Sequence, residues 1–155
     1  MKRSTFLLPI AISTSMLMIG CANDSGAKMG LFSASAPVLA VLSDDLFVGE
    51  AVGYADGTGT IGIKSVLDPS LQCVGEFSYT GARTGAARLR CNDGAEALLS
   101  FNALTMLSGY GFGRTSRGPA SFTFGLTPDQ AAQYLTLPKG KRLIKKEEGP
   151  RLSDV

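Results

Sequence analysis

The sequence has no histidine, no tryptophan and only three cysteines, and 18% of its 155 residues are charged. Without an imidazole there is no Ser-His-Asp or Cys-His relay, no His-ligated zinc or copper, and no side chain that ordinarily titrates near neutral pH. The cysteines stand at positions 21, 73 and 91, far from the Cys-x-x-Cys spacing of redox motifs and zinc ribbons. A run long enough to span a membrane is also missing: the apolar stretch Phe6–Ile19 holds 14 residues, against the roughly 20 of a spanning helix. No catalytic residue, metal ligand or cofactor motif is therefore assigned. What the chain has in quantity is glycine, 19 residues, together with 45% hydrophobic residues, enough for one ordinary domain with extensions.

The chain opens with Met1-Lys2-Arg3, continues with the uncharged Phe6–Ile19, and then reads Gly20-Cys21. A basic start, an apolar stretch of roughly 7 to 15 residues and a small residue at the cut site are the parts of a secretion signal. Met18-Ile19-Gly20-Cys21 resembles the lipobox of bacterial lipoproteins, in which the thiol is acylated and the bond before it is cut, with Met18 where leucine is commonest. The resemblance implies that residues 1–20 are a signal peptide and that Cys21 becomes a lipidated first residue, its acyl chains holding the protein on a membrane. Ala22, in the family's sorting position, implies the outer membrane, with the domain on its periplasmic or surface side. An ordinary signal peptide and an uncleaved anchor are the alternatives, and neither accounts for Gly20-Cys21 at the end of the apolar run.

Loss of Lys2 and Arg3 leaves 13 basic against 13 acidic residues. The mature chain is formally neutral and exported, which argues against a nucleic-acid partner. Residues 21–36 read as the lipidated cysteine and a small, polar tether. Residues 37–138 read as a β-domain in which Val38–Leu42 is either a first edge strand or a staple across the domain. Residues 139–155 carry six basic and three acidic residues and read as a mobile tail, either solvated or laid on anionic lipid or cell-wall polymer.

From Leu46 to Leu126 turn signals recur at the interval of sandwiches and small barrels: Asp56-Gly57, Asp68-Pro69, Thr80-Gly81, Asn92-Asp93-Gly94 and Arg117-Gly118-Pro119. They delimit strand candidates at 46–55, 58–67, 71–80, 84–91, 95–104, 107–114 and 119–126. Short connections favour antiparallel neighbours. The expected fold is all-β, a single antiparallel meander of six to seven strands forming a small sandwich or partly open barrel, with a short C-terminal helix. Thr127-Pro128-Asp129-Gln130 starts that helix with a threonine N-cap, an early proline and a capping box, and it should run to about Leu135.

The third and fourth candidates allow a sharper argument. A hairpin centred on Ala82 pairs residues whose numbers sum to 164, which sets Cys73 opposite Cys91, gathers Gly75, Phe77 and Tyr79 with Leu89, Ala87 and Gly85, and places Glu76 against Arg88. A one-residue slip would destroy all three relations. With Cys21 acylated, a Cys73–Cys91 disulfide follows, and an exported domain permits it. Closing a loop of that length stabilises by about 3 kcal/mol.

Elsewhere the pattern is less decisive. A two-residue Asp56-Gly57 turn would set Glu50 opposite Ile63 on the apolar face, where a lone carboxylate is costly. A bulged register that sets Ala51 and Gly53 against Ile63 and Ile61, with Glu50 outward, is preferred. Ala97, Leu99 and Phe101 form one inward face, and Phe122, Phe124 and Leu126 another. In Gly109-Tyr110-Gly111-Phe112-Gly113-Arg114 no helix follows, so a phosphate loop is rejected. Alternate glycines there should instead line a face approached closely by another backbone.

The mature part also looks like small, glycine-rich bacterial lipoprotein domains with one cysteine pair and no assigned activity, a similarity that transfers no functional residue. The expected function is a non-catalytic, lipid-anchored binding or structural domain of the envelope, with an envelope protein or polymer as partner. Its candidate surface is Arg83, Arg88, Arg90, Tyr110, Phe112, Arg114 and Arg117. The alternative is a hydrolase using two carboxylates drawn from Asp44, Asp45, Glu50, Asp56, Asp93 and Glu96.

Overall fold

The computed structural model describes residues 28–31 and 33–155. The segment expected to be a signal peptide, the lipobox-like Met18–Cys21 and the expected acylation site Cys21 lie outside them.

Eight antiparallel strands close into a barrel: β2 (Ser33–Leu42), β3 (Asp45–Tyr54), β4 (Thr58–Ser65), β5 (Gln72–Tyr79), β6 (Thr84–Cys91), β7 (Glu96–Thr105), β8 (Ser108–Thr115) and β9 (Gly118–Phe124). A two-residue strand, β1 (Lys28–Met29), pairs with Ser35 and Ala34 at one end of β2. The all-β, single-meander expectation holds, but the six-to-seven-stranded, partly open form does not. Val38–Leu42 is neither edge nor staple. It is half of the strand that closes the cylinder, pairing with β3 on one side and with β9 on the other.

The composition of β2 explains how it does this. Ala36, Val38, Ala40 and Leu42 point into the barrel, while Leu39 and Val41 point outward into a second apolar cluster. Burial on both faces turns strand alternation into a continuous apolar run. Pro37 lacks an amide donor, yet its position suits it: the ladder to β9 begins only at Val38, the ladder to β1 involves Ser35 and Ala34, and the Pro37 carbonyl accepts the Gly125 amide. The small, polar Ser33–Ala36, expected as tether, is thus strand. Ser43 and Asp44 both adopt positive φ, the two-residue turn that matches hairpin twist. That turn contains no glycine, which hid the hairpin in the sequence.

β5 and β6 pair in the expected register throughout, from Cys73 opposite Cys91 to Tyr79 opposite Gly85, and a disulfide joins the two cysteines. Glu76 does stand opposite Arg88, but the ion pair on this wall is between Arg90 and Glu96, at 3.0 Å. The first hairpin corrects both registers considered: Gly49 faces Ile63, Ala51 faces Ile61, and Glu50 is opposite Gly62 and exposed. A three-residue loop, with Gly57 at φ +81°, causes the shift. Parity is preserved, so the preferred outward direction of Glu50 stands.

The alternate glycines have a common partner. A Cβ on Gly59, Gly85, Gly109 or Gly111 would collide with the ring of Phe77, Phe101, Phe124 or Phe122, the residue directly across the ladder in each case. Each ring lies over a glycine in the interior, the arrangement by which aromatic side chains compensate glycines in a strongly curved sheet. Tyr110 and Phe112 accordingly point outward.

The C-terminal residues correct the picture of a mobile tail. Lys141–Lys146 (β10) and Gly149–Asp154 (β11) pair as a separate hairpin. Leu143 sits opposite Leu152, and both pack with Leu39, Val41, Leu46, Ala131 and Leu135 against the outside of the barrel. The charges that dominate this segment lie on the hairpin's other positions, and Lys141 pairs with Asp154 at 2.7 Å. The helix α1 is shorter than expected, Pro128–Ala131, although its capping box forms and hydrogen-bonded turns carry the chain on to Leu135. Leu126 lies in this outer cluster rather than on the inward face of β9. Among the described residues, the ladders that close the cylinder and the two apolar clusters lie within 28–155, a closed sheet around a core of its own.

Candidate functional site

The two ends of the barrel differ. At one end the interior is filled by Phe47, Ile63, Leu89, Ala97 and the Cys73–Cys91 bridge. At the other the cylinder opens into a cavity of about 620 Å³. Eight-stranded barrels have an interior either just filled by side chains or wide enough for one small ligand, and here the interior is filled at one end and open at the other.

Aromatic rings build the cavity. Phe101 lies 5.0 Å from Tyr79, 5.9 Å from Phe77 and 6.0 Å from Phe124, centroid to centroid, each of these three pairs edge-to-face. Ala36, Val38, Ala51 and Ile61 complete the walls. Burial raises the pKa of the Tyr79 phenol above its ordinary value. Among the described lining residues there is no Asp or Glu, and Arg83 is the one cation.

The rim is apolar where turns are ordinarily polar. Leu31 is 89% exposed, Met106 83% and Tyr54 47%, and all three line the opening with Leu104 and Leu107. β7 carries an irregularity between Ala103 and Thr105, the kind of bulge that collects at barrel rims. Arg83 is anchored there: its Nε donates to the Ala103 carbonyl at 2.9 Å and its Nη2 to the Leu104 carbonyl.

The seven residues expected as one binding surface are dispersed. Arg83 is at the mouth, and Arg117 is at the filled end, paired with Asp93. Arg88 and Arg114 flank Leu98 in one row on the outer wall, with Arg90 and Phe112 in neighbouring rows. Tyr110 is occupied, stacked on Tyr134 with centroids 4.5 Å apart. The mouth itself was missed. Its readable signal was Leu104-Thr105-Met106-Leu107, an apolar sequence straddling a hairpin turn.

The six candidate carboxylates are also spread. Asp44 and Asp93 are in turns at the filled end, Glu50 and Glu96 are on the outer wall, and Asp56 is in a turn at the mouth end. Asp45 accepts a hydrogen bond from the Ser65 hydroxyl at 2.6 Å. Hydrogen bonds from the Thr58 hydroxyl and amide hold Asp56 below the ordinary carboxylate pKa. For Asp93, the Ala95 amide does so first and Arg117 next. No group of three or more potential metal ligands occurs among the described residues.

The outer wall exposes Lys64, Glu76, Arg88, Arg90, Glu96 and Arg114. Val74, Leu98 and Phe112 are exposed among them, but charges on this face and an apolar interior contrast with the apolar band and polar lumen of a lipid-spanning barrel. No helix among the described residues is long and apolar enough to cross a membrane.

No protein-family model matches the chain, and no curated protein matches it. Among solved structures the chain is similar to a redesigned beta barrel, with a TM-score of 0.49 and 11% identity, over 60% of this chain and 89% of that one.

Proposed function

We propose that this protein is a lipid-anchored binding domain of the bacterial envelope, held at the outer membrane through Cys21, whose barrel mouth takes up one apolar molecule. The observation that carries the uptake function is the cavity of about 620 Å³, lined by aromatic and aliphatic side chains and left open by a rim of exposed Leu31, Tyr54 and Met106. Sites for small ligands are concave, mostly apolar and of this size. The anchor rests on the lipobox resemblance of Met18–Cys21. Support for a tethered mouth comes from chain direction, since Gly30 and Leu31, within the expected tether, lie at the opening. Seven Cα steps lead from Cys21 to Lys28, a reach of at most about 25 Å, so the opening lies close to the membrane that holds the lipid. The envelope protein or polymer expected as partner finds less support, because the arginines proposed for it do not converge. The two-carboxylate hydrolase finds none in the mouth.

The test is uptake of an uncharged fluorescent dye, Nile red, by the segment 28–155. Saturable, one-to-one enhancement is expected, and Ala103→Phe, which places a ring in the cavity, should abolish it while the protein still melts cooperatively. Equal enhancement by both proteins would refute uptake in the mouth. In cells, blocking lipoprotein signal cleavage with globomycin should accumulate the uncut chain, and Cys21→Ser, which removes the acylated thiol, should abolish incorporation of labelled palmitate. Unchanged processing and labelling would refute the anchor.

A further inference from the structure

We infer that the molecule taken up is an anionic, single-chain amphiphile, its alkyl tail among the rings and its acid head at Arg83, an inference that rests on the uptake function proposed above. An apolar cavity recognises a tail without distinguishing heads, so specificity must come from the rim. There the charge is one-sided. Arg90, Arg117, Lys141 and Arg151 each pair with a carboxylate. Arg83 has no such partner among the described residues, a lack it shares with Arg88 and Arg114 on the outer wall, but it alone of the three is at the opening, where none of the described lining residues is a carboxylate.

The guanidinium is nevertheless held in place. Its Nε and Nη2 are spent on the carbonyls of Ala103 and Leu104 at the irregularity of β7, and its own backbone carbonyl accepts the Ala103 amide at 2.7 Å. Those partners are neutral, so they orient the cation without cancelling its charge. Of the five N–H donors of an arginine fork, those left over suit an oxyanion. A fixed, uncompensated cation beside an apolar cavity matches a ligand with an oxyanion at one end and hydrocarbon at the other. A carboxylate and a phosphate monoester share this chemistry.

The test is displacement of Nile red from the segment 28–155 by four amphiphiles with the same alkyl chain: dodecanoate, dodecyl phosphate, dodecanol and dodecylammonium. At least one acid should displace the dye at about tenfold lower concentration than the alcohol, the worth of a charge-assisted hydrogen bond at an exposed rim. The ammonium should be the weakest. Which acid is stronger identifies the head. Arg83→Met should close the gap between acid and alcohol, whereas Arg88→Met, on the outer wall, should leave it open. If Arg83→Met does not fold, added salt serves instead, since screening should narrow the gap in the unaltered protein. Equal displacement by acids and alcohol overturns the head assignment and leaves apolar uptake standing. A gap that persists in folded Arg83→Met overturns it too. A protein that takes up no Nile red removes the uptake function itself.

Discussion

The filled end and the open end of the barrel are built from the same strands, and their turns show how differently the two were composed. At the filled end the turns are tied to one another in a ring. Ser43 bonds Thr115 at 2.7 Å, Arg117 pairs with Asp93, Asn92 donates to the Ser70 carbonyl at 2.7 Å, and Ser65 donates to Asp45 at 2.6 Å. At the mouth the side-chain bonds stay mostly within a turn, as with Thr58 to Asp56 and between Thr105 and Ser108, and among the described residues Arg83 is the one that crosses between strands. Phe47, Ile63, Leu89 and a disulfide fill one end, while large apolar residues stand exposed at the other. One end holds the cylinder shut, which leaves the other free to expose the apolar surface that the proposed uptake requires.

The largest expected effect lies at the filled end. Replacing Cys73 and Cys91 by alanine should cost about 3 kcal/mol, the chain-entropy value for a loop of this size, read from urea midpoints. Nile red affinity should change little, because the mouth does not use the bridge. An unchanged midpoint would show that the two ends do not divide stability and binding in this way.

The next effect sharpens the same contrast. Ala97, 1% exposed, has no room, and Ala97→Phe should cost about 1–3 kcal/mol by overpacking. The matching change at the mouth, Ala103→Phe, should cost less than about 1 kcal/mol, because its ring has the cavity to enter. Equal destabilisation would mean the mouth is as tightly packed as the floor. Glycines give a comparison within one sheet. Gly111→Ala, whose new methyl would strike the Phe122 ring, should cost about 1–3 kcal/mol, whereas a methyl on Gly62 meets nothing within 4 Å and should be neutral to within about 0.5 kcal/mol.

Smaller changes concern the ring of turns. Asp44→Gly relieves a positive φ of 74° and should raise stability by about 0.5–1 kcal/mol. Asp93 is held below its ordinary pKa of 3.8, so its contribution is fully present above that value and lost as the pH falls through the lowered folded one. Asp93→Asn should therefore flatten the acid limb of stability below about pH 3.8, a change visible in melting temperatures recorded down the acid range.

Much of this was legible because it is local. Strand boundaries followed turn chemistry, and the pairing of β5 with β6 followed from demanding that cysteines, apolar residues and opposite charges all match in one register. The direction of Glu50 came from the cost of burying a charge, although the three-residue loop moved its neighbours. Illegible were the features in which one segment depends on another distant in sequence. β2 looked like tether and staple because its residues make sense only when β3, β9 and the C-terminal hairpin are already beside it. Leu143 and Leu152 were lost among lysines for the same reason. The site suffered most, since Arg83, Met106 and Leu31 are brought to one opening by closure alone.

The order of residues thus determined that the chain forms antiparallel strands, which side chains point the same way, and that Cys73 meets Cys91, since all of these follow from a two-residue period and short turns. Only the tertiary structure decided that the sheet closes on itself, that one end fills and the other stays open, and that a fixed cation stands at the opening. Closure depends on the accumulated curvature of eight strands, a sum to which every glycine and ring contributes and which no single stretch of sequence contains.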